Sequence, residues 1–480
     1  MPNFQLFPLP FWLVVAMTFF FAIRAWRQPE SALRLPMFIV LLTVGAWYIG
    51  DVLYNDYSEY LLEIDETSLE YAWWEVLSFI CTFGLLAPPI HRMVNRKHLG
   101  KPSNLLSLMY YGGLKSNKFQ EQLDSICHFL VILWTFLMIV ALIRVNFDFV
   151  GLFMPYFSAR ADPWVRGRVG SGYDFLVAFA SYFQIGLVAG FGVIAALAYR
   201  PLTLTISLAV WFLTLPSYIF DRTRSAILAT LLPGFLAWVF LRLRSGLLVK
   251  AVILAIGFLV IQSWMKFIIE NRTDSSISLA FSRAINNQSM RQSHSLTTFS
   301  QEDPASTASI GFNMFEELGF VNLYISNGTI HPDLGEEYFA ELVNPIPRSI
   351  WPGKPLIGID YAVARGQKLD DSADDSAGVG ATISTGMIGQ GIVNFGLILG
   401  PPAAALLMSF WAAVLARQDL LAADPGRMFL YVIGLILTFN MGRDISLLVI
   451  YPFCFFYLLI VAVKKLQTPK GRPLRPLQSG

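Results

Sequence analysis

Two adjacent glutamates, Glu316 and Glu317, lie in a stretch whose apolar residues recur at helical spacing. The spacing predicts a helix over 309–321, with Met314 and Leu318 on one apolar stripe. A rotation of about 100° per residue places Glu317 on that stripe and Glu316 on the opposite face. A carboxylate on an apolar face has its pKa raised by desolvation, which suits a general base. A structural ion pair between Glu317 and an arginine is the alternative, and the sequence leaves both open.

A proline-rich segment at 344–355, with the sequence NPIPRSIWPGKP, contains two cations and one tryptophan. Its prolines fix φ and bias the residue before each of them to extended geometry, so we predict a stiff, extended, non-helical strap. Such a strap would hold Arg348 and Lys354 in set directions for binding an anion. Trp351 offers a flat face to a sugar ring or to a membrane interface. A purely structural strap is the alternative interpretation.

Arg443 lies in the sequence NMGRD at 440–444, a break between two apolar segments. The segment before the break has only about 14 residues, too few to cross a bilayer unless the break lies below the membrane surface. Arg443 is therefore predicted to point into the protein. A charge at membrane depth costs about 2.5–3.5 kcal/mol, so we expect a partner or a function for it. Pairing with Asp444 and contact with an anionic ligand both remain open.

The sequence predicts no metal site and no other cofactor. An acidic run at 369–376, which includes Asp370, Asp371, Asp374 and Asp375, lacks the strand and helix pattern of a metal-dependent nucleotide-sugar site. We interpret it as a solvated turn. The three cysteines each lie in an apolar run, which is not the pattern of a zinc site.

The composition indicates that these residues are positioned by a membrane domain. Of the 480 residues, 55% are hydrophobic and only 14% are charged, which excludes a disordered chain and an ordinary soluble enzyme. A formal net charge of +2 also argues against nucleic-acid binding driven by bulk charge. We expect an all-α polytopic membrane protein.

Apolar runs of spanning length predict about eleven transmembrane helices, because a bilayer core of about 30 Å needs around 20 residues. They divide the chain into an N-terminal membrane region at 1–268 with about eight spans and a large loop subdomain at 269–387. A C-terminal membrane region at 388–463, with about three spans, and a basic tail at 464–480 complete the chain. The predicted spans are 8–23, 36–54, 71–90, 126–145, 174–199, 202–220, 225–241, 247–268, 388–416, 427–440 and 445–463.

The positive-inside rule predicts the orientation of these spans. One set of connections contains 20 of the 35 basic residues and only five of the 33 acidic residues. These connections would be cytoplasmic, which places the N-terminus and the large loop outside and the tail inside. The outer side then holds twelve arginines and three lysines. Guanidinium groups bind phosphate bidentately, so Arg222 and Arg224, at the start of a span, and Arg283, in the loop, are candidate phosphate ligands.

The segment PIPRSIWPGKP in a long outer loop, followed by TISTGMIGQGIVNFG at 382–396, resembles the bacterial Wzy-type oligosaccharide repeat-unit polymerases, which include O-antigen polymerases. The resemblance covers the topology loosely and is specific around 340–400. Gln390 departs from it, since the family pattern leads us to expect a glutamate near that position. The resemblance implies a metal-independent glycosyltransferase with a GT-C-like fold in the bacterial inner membrane. Its donor and acceptor would be oligosaccharides linked to undecaprenyl diphosphate on the periplasmic face, and a chain-length regulator, or polysaccharide co-polymerase, would be its partner.

On this basis Glu317 is the expected base for the acceptor, and Arg348 an expected catalytic cation. Substrate binding is expected from a further set of residues: Arg222, Arg224, Arg283, Trp351, Lys354 and Arg443. An O-antigen ligase, which transfers finished glycan, is the nearest alternative enzyme. A flippase or transporter of lipid-linked sugars is the alternative from a different class of protein.

Overall fold

A computed structural model gives the fold as a bundle of α-helices. It describes residues 7–28, 31–55, 57–98, 103, 113–144, 146–148, 174–220, 224–242, 246–270, 313–343, 346, 350–351, 353–355, 359–366, 369–370, 378–379, 383–422, 424–445 and 447–467. The helices before the large loop are α1 (Leu9–Trp26), α2 (Arg34–Val44), α3 (Gly50–Tyr54), α4 (Tyr57–Glu63), α5 (Glu66–Val94), α6 (Asn117–Arg144), α7 (Asp174–Leu197), α8 (Pro201–Phe220), α9 (Arg224–Ala237) and α10 (Leu247–Glu270). The later helices are α11 (Met314–Ser326), α12 (Glu336–Val343), α13 (Ile359–Ala364), α14 (Gly386–Leu420), α15 (Pro425–Asn440) and α16 (Leu447–Gln467).

Shorter elements connect some of these helices. A π-helical turn, Gly45–Ile49, joins α2 to α3, and another, Trp238–Arg242, follows α9. Strands β1 (Leu369–Asp370) and β2 (Gly378–Val379) pair antiparallel on either side of the acidic run. The pairing is that of a hairpin, and residues 371–377 lie outside the described residues.

Each predicted span overlaps helical structure, which confirms the all-α class, whereas the number of eleven membrane spans stays a prediction. By length and composition, five helices among the described residues can cross a membrane. These helices are Leu9–Trp26, Arg34–Leu53, Glu66–Val94, Asn117–Arg144 and Gly386–Leu420. Five shorter apolar helices accompany them in the described part of the chain. The chain is therefore a multi-pass helical membrane protein.

The long helix α14 is broken at Gly396, which has φ +77° and ψ 175°. Glycine adopts positive φ without a Cβ clash, so the chain can reverse there. The first arm, 386–395, folds back on the second arm, 397–420, because Gly391 and Gly400 lack side chains. A methyl group on Gly400 would lie 2.5 Å from the Cα of Ile392. Beyond the bend, the helix continues through Pro401 and Pro402.

Helix α11 is anchored in the membrane bundle by buried polar contacts. The carboxylate of Asp51 accepts hydrogen bonds from the backbone amides of Phe315 at 2.8 Å and Glu316 at 3.3 Å, so it caps the N-terminus of α11. Further along the helix, the Asn322 amide donates to the Glu75 carboxylate of α5 at 2.8 Å. These bonds fix the rotation of α11 and hence the directions of Glu316 and Glu317.

Aromatic packing supports the same arrangement. The Phe315 ring stacks on Trp73 of α5 with ring centroids 4.0 Å apart, and Phe11 of α1 meets the edge of Trp73 at 4.9 Å. Trp73 and Phe315 are fully buried. Each such ring buries about 150–250 Å², so this contact contributes strongly to holding α11 against α1 and α5.

Candidate active site

Two of the predicted site residues, Glu317 and Arg443, lie near the beginning of α14. Gly386 has φ +79°, and a methyl group there would lie 2.6 Å from the Tyr48 hydroxyl and 3.4 Å from Met314. The Ile388 amide donates to the Tyr48 hydroxyl at 3.0 Å, and the Met387 amide donates to the Gly442 carbonyl at 3.2 Å. The first turn of α11 and the turn after α15 therefore both pack against the start of the first arm.

The candidate site lies at the opposite end of the first arm from the bend at Gly396. The first arm has ten residues, and at 1.5 Å per residue the bend lies roughly 15 Å from the start of the arm. Helix α15, with 16 residues, ends beside that start. The prediction that the break containing Arg443 is drawn into the protein agrees with this geometry.

The Arg443 guanidinium donates a hydrogen bond to the Ser384 hydroxyl at 3.1 Å, and its side chain is half-buried. The Asp444 carboxylate accepts hydrogen bonds from the side chain of Ser384 and from the Thr385 backbone. Ser384 thus bridges the two residues. Among the described residues, Arg443 forms no ion pair within 4 Å, so the direct pair with Asp444 considered from the sequence is replaced by this bridge. A guanidinium has five N–H donors, which leaves this one with capacity for an anion.

Glu317 is buried, as predicted, and Glu316 is half-buried. The Glu317 carboxylate lies 3.3 Å from the Arg365 guanidinium and accepts hydrogen bonds from the Tyr361 hydroxyl and, at 3.1 Å, from the Asn313 amide. Burial and the charge of Glu317 raise the pKa of Tyr361, so this hydroxyl remains a donor. The ion pair considered as the alternative role for Glu317 is therefore present.

We call the set of side chains that surround the start of α14 the α14 cluster. It consists of Glu317, Tyr361, Arg365, Ser384, Arg443 and Asp444.

Two carboxylates beside the α14 cluster hold protons near neutral pH. Burial, with the neighbouring charge of Glu317, raises the pKa of Glu316 to about 7. Burial raises the pKa of Glu337 to about 8, and the negative charge of Asp444 adds to that shift. Raised pKa values are thus found at Glu316 and Glu337. Both can exchange protons at physiological pH, as a general acid or base must.

Lys354 and Trp351 occupy different environments within the strap. Lys354 is buried, and its ammonium donates to the Ile346 carbonyl at 3.0 Å. An extended chain of eight residues would span roughly 26 Å, so this bond shows that the strap curls back on itself and corrects the extended geometry predicted for it. The described residues of the strap are non-helical, as predicted. Trp351 is partly exposed and meets the Phe339 ring edge-on at 6.1 Å.

Four of the predicted arginines have no described side chain. Arg222, Arg283 and Arg348 lie outside the described residues. Arg224 is the first residue of α9, and its side chain is not among the described parts. Within the described part of the chain, no group of three or more histidine, cysteine, aspartate or glutamate side chains could hold a metal ion.

Several residues that position the site are not among the site residues predicted from the sequence. Asp51 lies within a predicted span, and an acidic residue at membrane depth is itself a signal of function or structure. Tyr361 and Arg365 carry no such signal, since their role arises only from long-range contact with Glu317.

Comparison of the chain with family models, with curated proteins and with solved structures finds no match in any of the three.

Proposed function

We propose that this protein polymerises oligosaccharide repeat units linked to undecaprenyl diphosphate, transferring a growing glycan onto a new lipid-linked repeat. The proposal rests on the sequence resemblance and on one structural observation. The start of α11, which carries Glu317, packs against Gly386 through Met314, and the Arg443 guanidinium binds the nearby Ser384 hydroxyl. A candidate base and a candidate phosphate ligand are therefore available to one substrate.

The chemistry requires both groups. A hydroxyl of the acceptor sugar attacks the anomeric carbon of the donor, and a new C–O bond forms as the bond from that carbon to the lipid diphosphate oxygen breaks. The proton of the hydroxyl passes to a carboxylate, for which Glu317 is the leading candidate and Glu316 the competitor. The leaving diphosphate carries the electron pair, and Arg443 would stabilise its charge together with Arg222, Arg224, Arg283 and Arg348.

The decisive experiment incubates purified protein in detergent with lipid-linked repeats extracted from the source cells, followed by mass and linkage analysis. A ladder of glycans still attached to the lipid supports the polymerase. Transfer of finished glycan to another acceptor, such as a lipid A core or a protein, would identify the ligase reaction instead.

Arg348→Ala provides a cellular test of the proposed catalytic cation. The variant should lose long polymer because a cation that stabilises the leaving group contributes about 10²–10³-fold to the rate. Membrane insertion is checked by protease mapping of the variant. An unchanged ladder with normal insertion would remove Arg348 from the mechanism.

A transporter of lipid-linked sugars is the second candidate, and the broken helix α14 is the observation that favours it. Discontinuous helices with half-helix termini line the substrate sites of many transporters. Reconstitution into sealed vesicles separates the two functions. Translocation of lipid-linked repeats without any longer product would support transport, whereas polymer formation in detergent requires no membrane and supports catalysis.

A further inference from the structure

Helix α12 turns Glu337 inward and two large apolar side chains outward, while Glu336, at the start of the helix, is also exposed. Glu337 is buried together with Ala340 and Val343, whereas Phe339 is 47% and Leu342 is 66% exposed. At 100° per residue, Glu337 and Glu341 share one face, and Phe339 and Leu342 lie on the opposite face. A helix beside water would place these residues the other way round.

Polar contacts hold the inward face of α12 against the bend of α14. The Asn394 amide donates to the Glu337 carboxylate at 3.3 Å, and its oxygen accepts from the Tyr338 backbone at 3.1 Å. Asp333 caps the start of α12 by accepting from the Glu337 amide at 3.1 Å, and its own amide donates to the Val393 carbonyl at 3.0 Å. The rotation of α12 is therefore fixed by hydrogen bonds on both sides of the helix start.

The outward face of α12 continues the apolar surface of a membrane span. Phe395 lies at the bend, 37% exposed, and its ring contacts Tyr338 at 6.1 Å. Ile398, at the start of the second arm, is 84% exposed, and further exposed apolar side chains follow along that arm. The second arm belongs to a helix that can cross the membrane, so its exposed apolar side chains face acyl chains.

We propose that α12 lies in the bilayer interface, with Phe339 and Leu342 among the lipid acyl chains and Glu337 turned inward, toward Asn394 at the bend of α14. Interfacial helices bury their apolar face about 5–10 Å into the boundary between headgroups and acyl chains. This placement does not depend on the proposed glycan transfer. It follows from the exposure of Phe339 and Leu342, from the rotation of α12, and from the continuity of its outward face with the second arm of α14. In this position α12 would separate the lipid from the polar residues that its inward face contacts.

Spin labels at single cysteines test this placement. Cys81, Cys127 and Cys454 are replaced by alanine, and labels are attached at Phe339→Cys and, separately, at Leu342→Cys. Ile398→Cys is the reference for lipid, and Asn327→Cys, in an exposed polar turn, is the reference for water. The labelled proteins are placed in vesicles of phosphatidylcholine and phosphatidylglycerol, and collisions with oxygen and with a water-soluble nickel chelate are measured.

Labels at Phe339 and Leu342 should match the Ile398 reference, with a severalfold loss of nickel collisions relative to Asn327. Nickel accessibility equal to that at Asn327 would overturn the proposal and indicate a water-facing surface for sugar. Immobile labels shielded from both reagents would also overturn it, and would indicate a protein partner or a second copy. Leu342 is the more exposed of the two sites, so its label is informative even if the Phe339 variant does not fold.

Discussion

Two polar regions of this membrane bundle differ in how their charges are balanced. At the junction of α6 with α7 and α8, Arg200 lies 2.5 Å from Asp124 and 3.3 Å from Glu121. Gln120 completes the junction by donating to the Leu114 and Leu197 carbonyls at 2.7 and 3.1 Å. Both carboxylates here have a guanidinium within ion-pair distance.

Among the described carboxylates in and beside the α14 cluster, only Glu317 has such a partner, while Asp444, Glu316 and Glu337 are held by hydrogen bonds or by burial. Balanced ion pairs stabilise a junction. A buried excess of carboxylates near a half-buried arginine costs free energy, which is typical of a functional site.

The sharpest test of this difference replaces one arginine in each region. Arg443→Ala should lower the polymerisation rate by about 10²–10³-fold with little change in the melting temperature, because its main role would be in the transition state. Arg200→Ala should retain the activity and lower the melting temperature. Rates come from the detergent assay and melting temperatures from thermal unfolding of the purified proteins. Equal loss of activity in both variants would remove the distinction between the regions.

The Glu317–Arg365 pair can be separated from catalysis by a double substitution. Glu317→Gln alone should destabilise the fold by about 1–3 kcal/mol, because it leaves the partly buried Arg365 without its counter-charge. Adding Arg365→Gln should restore most of that stability. If Glu317 is the base, the double variant should still lose about 10²–10⁴-fold in rate.

Recovery of both stability and activity in the double variant would show that the pair is structural. Glu316→Gln is the matched comparison on the adjacent residue, and it would then be expected to abolish transfer.

The last prediction concerns the pH dependence of stability. The pKa of Glu337 rises from 4.5 in the unfolded chain to about 8 in the fold, so the folded protein holds a proton that the unfolded chain has released. Stability should therefore fall as pH rises from about 4.5 to about 8, by a few kcal/mol at about 1.4 kcal/mol per pKa unit. Glu337→Gln should flatten this decline.

Thermal unfolding across that pH range measures the effect. Glu336→Gln, one residue away on the exposed side of α12, controls for the removal of one charge from the helix. A Glu337→Gln variant with the wild-type pH profile would contradict the assignment.

The helices could be predicted from the sequence because long apolar runs determine them almost alone. The burial of Glu317 followed from rotation around one helix. Its partner Arg365 could not be predicted, since the pairing depends on how α13 packs beside α11. The reversal at Gly396 could not be predicted either, because the close contact of Gly391 with Gly400 is visible only after the arms have folded together.

The first arm of α14 sets the distance between α12 and the residues around Arg443. Its ten residues separate α12, which meets the bend, from Arg443 and Ser384 at the other end. Adding one residue to this arm would move one end by about 1.5 Å and turn it by about 100°, so the two ends could no longer serve the same substrate. In the proposed polymerase, the length of this segment would set how far a carrier-bound glycan must reach into the protein before its sugar meets Glu317 and Arg443.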